Sequence, residues 1–224
     1  MNEEEKFGSN IRWEEVWQAT QDTMTMMLVS MIFTVILGLA LGVILFLTSR
    51  KQLLQQPIIY MVLSFIVNVL RSVPFVILLI SIIPFTKWVT GTSLGVEGAI
   101  PPLIVAATPF FARLVETSLR EVDKGVIEAA QAMGASKLDI VYRVLLPEAK
   151  LGLLAATTIT AVTLVSYTAM SGIVGGGGLG DLALRYGYQR FQTDVMLITV
   201  VLLIILVQLL QTAGDLLVRR YSRK

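Results

Sequence analysis

Histidine and cysteine are both absent from the 224 residues. Without cysteine the chain can hold neither a disulfide framework nor a thiolate metal site, and its redox compartment stays open. Without histidine it lacks the commonest general base and metal ligand. Charge is scarce too: Asp, Glu, Lys and Arg make up 15% of the residues while 55% are hydrophobic, against roughly 25% and 45–50% in soluble domains. A chain this apolar belongs in a membrane. No Asp or Glu falls within a confident span, since Glu97 and Asp194 sit at outer edges. A proton-driven carrier needs a titratable group at membrane depth, so the energy for transport comes from another polypeptide, or the chain is an uncoupled channel. The same shortages leave a membrane enzyme few catalytic groups. Nor is Gly175–Gly180 a phosphate cradle, because it lacks the Lys-Ser/Thr ending and follows a membrane span rather than a strand.

What the chain has in quantity is hydrophobic length. A bilayer crossing takes about 20 apolar residues, and the charge-free run Thr23–Ser49 supplies 27. Further spans are expected at about Pro57–Ile83, Glu97–Val115, Leu151–Val174 and Val195–Gly214. The third is short, and the residues between Lys87 and Gly95 form a weak, glycine-broken stretch. The expected fold is therefore an all-α membrane protein with five transmembrane helices. Residues 1–22 open with Glu3, Glu4 and Glu5, too acidic for a signal peptide, and read as an extracellular segment. Trp13 and Trp17, one helical turn apart, suit either a headgroup anchor or packing on a neighbouring helix. The transmembrane domain covers 23–218, with a loop at 118–150 and a basic tail at 219–224.

Lysine and arginine set the orientation. With the N-terminus outside and the C-terminus cytoplasmic, the inner segments hold twelve of the 18 basic residues and the outer ones five, leaving Arg71 in the membrane. An arginine there costs at least about 2.5–3.5 kcal/mol on insertion scales and has to face protein or water. Its neighbours Asn68, Ser72 and Pro74 interrupt the same span, and Pro74 frees a carbonyl that other groups must satisfy. Asn68 and Arg71 either line a path or a dimer seam, or form a buried structural pair.

The segment Asp123–Lys150 is polar and periodic between apolar spans. Asp123 is placed to cap a helix carrying Val126, Ile127, Ala130 and Met133 on one side, and Gly134 supplies the left-handed residue that ends it. Ser136 with Asp139 caps a second helix, with Leu138, Val141, Val144 and Leu145 as its apolar side, and Pro147 closes the unit. Helices of about ten residues are marginal alone in water, so their apolar faces need a partner surface such as a groove on another protein.

Glu128, Ala129 and Ala130, then three residues to Gly134, then nine to Val144, then one to Leu146 and Pro147, resemble the EAA loop of permease subunits in binding-protein-dependent ABC importers, with Val144 where isoleucine is usual. Leu70–Thr86, and Tyr167–Tyr188 with its glycine run, are similar to the methionine-importing permeases of that family, although such runs also occur in osmoprotectant and phosphonate permeases. The resemblance implies a type I importer permease fold, with loop 118–150 as the cytoplasmic coupling loop. It assigns coupling to Glu128, Ala129, Ala130, Gly134, Ala135, Leu146 and Pro147, the alanines being small enough to sit close in an ATPase cleft.

Asn68, Arg71, Ser72, Pro74, Tyr167, Met170 and Ser171 become candidates for a translocation path. Met170 is either an apolar gate or core packing. Gly172 and Gly175–Gly178 serve close helix approach, a mobile outer gate or a plain flexible loop. The implied partners are a second copy of the chain, two ABC ATPase subunits, an extracytoplasmic substrate-binding protein and membrane lipid, with no nucleic acid. No cofactor or metal is expected in this chain, since ATP and Mg belong to the ATPase. The implied setting is a prokaryotic plasma membrane and the implied cargo L-methionine, with D-methionine and derivatives as further candidates.

Overall fold

The computed structural model describes residues 11–222. Glu3, Glu4, Glu5, Lys6, Arg223 and Lys224 lie outside the described residues. The described chain is helical throughout, without a strand. Helix α1 is Trp13–Thr48, α2 Pro57–Ser72, α3 Phe75–Ser81, α4 Ile83–Thr90 and α5 Gly95–Arg120. Helices α6 (Lys124–Ala132), α7 (Lys137–Asp139) and α8 (Leu146–Glu148) follow, with a π-helical turn at Ile140–Leu145. Helix α9 is Lys150–Ser171, α10 Gly178–Leu182 and α11 Thr193–Ser222. Helices α1, α5 and α11, and α9 extended to Val174, are each long and apolar enough to cross a membrane. The pair α2 and α3 makes a fifth if it counts as one broken span.

Several boundaries differ from those expected. Helix α1 starts ten residues before the charge-free run, with Glu14 and Glu15 in its first turn, where the helix dipole favours negative charge. Trp13 and Trp17 lie within it, 65% and 66% exposed, so neither packs deeply on the chain's own helices. The second span breaks at Val73 and Pro74, since Pro74 lacks an N–H and drives the preceding residue out of helical geometry. Helix α4 runs into the weak stretch expected between Lys87 and Gly95 and ends at Thr90, where Gly91 takes a left-handed φ of 79°; residues 91–94 are not helical. Helix α5 runs five residues past Val115 and so carries Glu116 near its C-terminal end. Pro147 does not close the docking unit: the π turn absorbs it, with Leu146 N–H donating to the Val141 carbonyl, and helix resumes at once. The basic tail is helical through Ser222.

By internal contacts the chain divides into two units. One holds the described residues up to Ile32, with Val73–Ala106 and Ala161–Leu210; the other holds Phe33–Ser72, Ala107–Thr160 and the residues from Gln211 onward. In the first, Val16, Ala19, Leu179, Leu182 and Val195 form the core. The expected outer loop Tyr167–Phe191 is instead mostly helical. Tyr167–Ser171 completes α9, and α10 is wholly buried, with Leu179 N–H donating to Thr23 Oγ1 at 2.8 Å. A Cβ on Gly180 would overlap the Ala169 carbonyl, and one on Gly172 the Asp181 amide. Gly172 and Gly180 therefore serve close packing, whereas Gly175 is exposed.

In the second unit, Gly38 and Gly42 let α1 lie directly on α5: a Cβ at Gly42 would stand 2.6 Å from the Ala112 carbonyl oxygen. Four-residue glycine spacing in an apolar helix is a packing signal readable from sequence. Its core joins Phe46, Phe111, Val115 and Leu119 of the long helices to Ile127, Ala130, Ile140, Val141 and Leu145 of the polar segment.

Gly180→Ala should lower stability by about 1–3 kcal/mol through overpacking. Thermal unfolding in detergent would show a reduced midpoint; an unchanged midpoint would mean that α10 yields without strain.

Candidate functional site

Helices α6 and α7 build the docking segment much as the capping residues require. Asp123 accepts from Gly125 N–H at 2.6 Å, and Gly134 ends the turn at φ 79°. The Ser136 hydroxyl accepts from Asp139 N–H at 3.2 Å and donates to the Asp139 carboxylate at 2.5 Å. That hydrogen bond, with Arg143 one turn on, holds the Asp139 carboxyl below the ordinary carboxylate range.

The apolar residues divide between two faces. Ile127, Ala130, Val141 and Leu145 turn inward and join the chain's own core. Val126, Met133, Leu138 and Tyr142 turn outward, Met133 82% exposed and Leu138 69%. The expected single face of α6 is thus split, because α6 needs one apolar side to sit on its own bundle. Ala130 is small for that internal packing, while Glu128, Ala129, Gly134 and Pro147 are exposed and Ala135 and Leu146 half-buried. Glu128 lines a groove of about 260 Å3 with Lys51, Lys124 and Gln131.

A second constellation escaped the sequence reading. Glu116 on α5 is 1% exposed and sits between Arg113 (2.5 Å) and Arg120 (2.6 Å). Tyr60 of α2 donates to it at 3.2 Å, and Arg113 donates onward to Ser64 at 2.9 Å and Asn68 at 2.8 Å of the same helix. Burying a carboxylate is costly unless paired and hydrogen-bonded, and here both oxygens are engaged. The signal was available: arginines three residues before and four after a glutamate share its helical face.

The candidate path residues divide between the two units. Asn68, Arg71 and Ser72 belong to one unit, and Pro74, Tyr167, Met170 and Ser171 to the other. Asn68 is bound to Arg113, not Arg71, so the alternative of an Asn68–Arg71 structural pair fails. Arg71 is exposed, its guanidinium 6.0 Å from the Phe110 ring. Ser72 donates to the Asn68 carbonyl at 2.8 Å, and exposed Pro74 forms the break. Tyr167 stacks on Phe75 with centroids 4.4 Å apart. Ser171 is fully buried, its hydroxyl donating to the Thr168 carbonyl, so it lines nothing. Met170 does reach open space, lining an apolar groove of about 550 Å3 with Ser166, Ile173, Leu203, Val207 and Gln208. Among the described residues no acidic cluster could hold a metal ion.

Comparison with known proteins bears on these features. Residues 38–224 match the family described as binding-protein-dependent transport system inner membrane component. A probable D-methionine transport system permease protein MetI of Vibrio cholerae is 50% identical over 206 residues, 92% of each chain. The methionine import system permease protein MetP of Bacillus subtilis is 45% identical, covering 95% of this chain and 96% of its own. Among solved structures, the inward-facing MetNI methionine ABC transporter matches with a TM-score of 0.91 at 48% identity, over 93% of this chain and 96% of that one. An amino acid ABC transporter with histidines matches at TM-score 0.76 and 16% identity, a likeness of fold alone.

The Ser136–Asp139 cap should depend on pH. Because the folded-state pKa is depressed, the cap is fully present above the unfolded value of 3.8 and is lost as pH falls through the lower folded value. Amide exchange at Asp139, read against Asp139→Asn, should be slower at pH 6 and converge with the variant in acid. Equal exchange at both pH values would remove the cap's role.

Proposed function

Because this chain belongs to the binding-protein-dependent transport system inner membrane component family, we propose that it is the permease subunit of an ATP-driven importer of methionine. It performs no hydrolysis itself; ATP and Mg are held by a separate ATPase, for which the outward face of α6 and α7 is the seat. The carrying observation is that face: Val126, Met133, Leu138 and Tyr142 stand exposed around Gly134, on a segment whose other side is fixed to the bundle. Exposed apolar patches of this kind mark interaction surfaces.

Two copies of the chain would pair around a central path, with two ATPase subunits on the cytoplasmic side and a substrate-binding protein delivering cargo from outside. With five crossings the termini lie on opposite sides, and the distribution of basic residues favours the N-terminus outside and the C-terminus inside. The apolar groove beside Met170 suits a path or seam through which a thioether side chain could pass, since Met170 is itself soft and adaptable. D-Methionine is a reasonable second cargo, given what the Vibrio relative is said to carry.

Two measurements test this. Reconstituted with its ATPase, the chain should support hydrolysis that rises with a methionine-loaded binding protein; stimulation by a betaine- or phosphonate-loaded protein instead would reassign the cargo. A Cβ on Gly134 would meet nothing within 4 Å, so Gly134→Leu strains only the left-handed backbone, by roughly 1–2 kcal/mol, and projects into whatever docks there. Uptake should fall about tenfold or more in Gly134→Leu and stay low in Gly134→Asn, which tolerates the backbone. Recovery in the asparagine variant would show that the backbone alone matters and that no partner approaches closely.

A further inference from the structure

We propose that Glu116 is a positioning residue, the centre of a polar clamp that makes α2 move with the docking segment. The inference rests on the docking reading above and extends it to the part of the chain that receives the movement.

Helix α2 is held on its bundle by one small apolar core, in which Val67 meets Leu45 and Ala112 with Tyr60 and Leu63 packed against it. Of its 16 residues only Val67 is buried, and large side chains such as Ile58, Met61 and Phe65 are exposed. The polar tie to α5 is the network around Glu116: Tyr60 donating to the carboxylate, and Ser64 and Asn68 receiving the second arm of Arg113. These three residues recur every four positions along one face of α2, spanning over two turns, so they resist rotation as well as separation. On the other side, α5 is bound to the docking segment twice over. Only three residues separate Arg120 from Lys124, and Val115 and Leu119 share a core with Ile127 and Ala130. A displacement of α6 is therefore carried by apolar packing into α5, and by charge-assisted hydrogen bonds from α5 into α2, which runs directly to the break at Pro74. Apolar contacts alone would let α2 slide; a buried, fully partnered carboxylate has one satisfied arrangement, and leaving it is costly.

The chain's lack of cysteine makes a direct test clean. Spin labels at Ile59→Cys on α2 and Lys124→Cys on α6, both exposed positions, should give a single narrow distance that ATP does not change in the complex with its ATPase. Glu116→Gln should broaden that distance and lower cargo moved per ATP about tenfold, while the ATPase stays bound. Should Glu116→Gln fail to fold, Tyr60→Phe with Ser64→Ala and Asn68→Ala tests the same point, because Glu116 then keeps both arginines and only the α2 side is released; the same broadening and loss are expected. A narrow distance with normal uptake in these variants, or a wild-type distance that shifts with ATP, overturns the clamp. A wild-type chain that fails to retain the ATPase overturns the docking reading instead, and the label distance in the chain alone still decides the clamp.

Discussion

Within a bilayer there is no water to accept a stray backbone hydrogen bond, and this one constraint shapes the molecule. It forces nearly every described residue into helix, and it makes each interruption a place where something else satisfies the freed groups. Among the interruptions are the break at Pro74, the glycine turn after Ser171 and two π turns, one at Ile140–Leu145 in the polar segment and one at Ala183–Tyr188. Each adjoins a segment with a specific task. The first π turn lets helix run past Pro147, so the docking segment joins α9 without a flexible joint. The second continues α10, whose glycines fit against α9 with no room for a side chain.

The same scarcity of water governs charge. A carboxylate drawn into a span-length helix persists only with full partnership, and Glu116 has two guanidinium groups and a phenol. Its burial adds no proton-carrying function to a chain otherwise poor in titratable groups, since both oxygens are committed. It adds a charge-assisted link between α5 and α2, a helix of which only Val67 is buried. Surface ion pairs such as Arg143 with Asp139 are worth little by themselves; the buried triad differs because breaking it strands a charge.

The docking segment shows how a short amphipathic helix reconciles two demands. Ile127 and Ala130 sit in the chain's core and fix the helix on its bundle, while Met133, Leu138 and Tyr142 stay outside at a cost that isolated folding would not favour. Alanine at position 130 answers to the inner surface, and exposed Ala129 and Gly134 to the outer one. The family likeness and the geometry meet here: a motif recognised as a string of residues becomes two faces of one element with different work.

By itself the sequence determined the class of molecule, the approximate spans, both helix caps at Asp123 and Ser136, and the left-handed glycine at 134, because these follow from local rules: hydrophobic length, hydrogen-bond reach and backbone sterics. It also held the Gly38–Gly42 and Arg113–Glu116–Arg120 spacings, legible yet ambiguous, since a helical spacing does not say what faces it. Only the tertiary structure decided which side of α6 is inward, that Ser171 is sealed in the core, that Gly172 and Gly180 are tightly packed, and that Asn68 belongs to Arg113. Those outcomes turn on which helix lies against which, a matter of long-range contact that no single segment encodes.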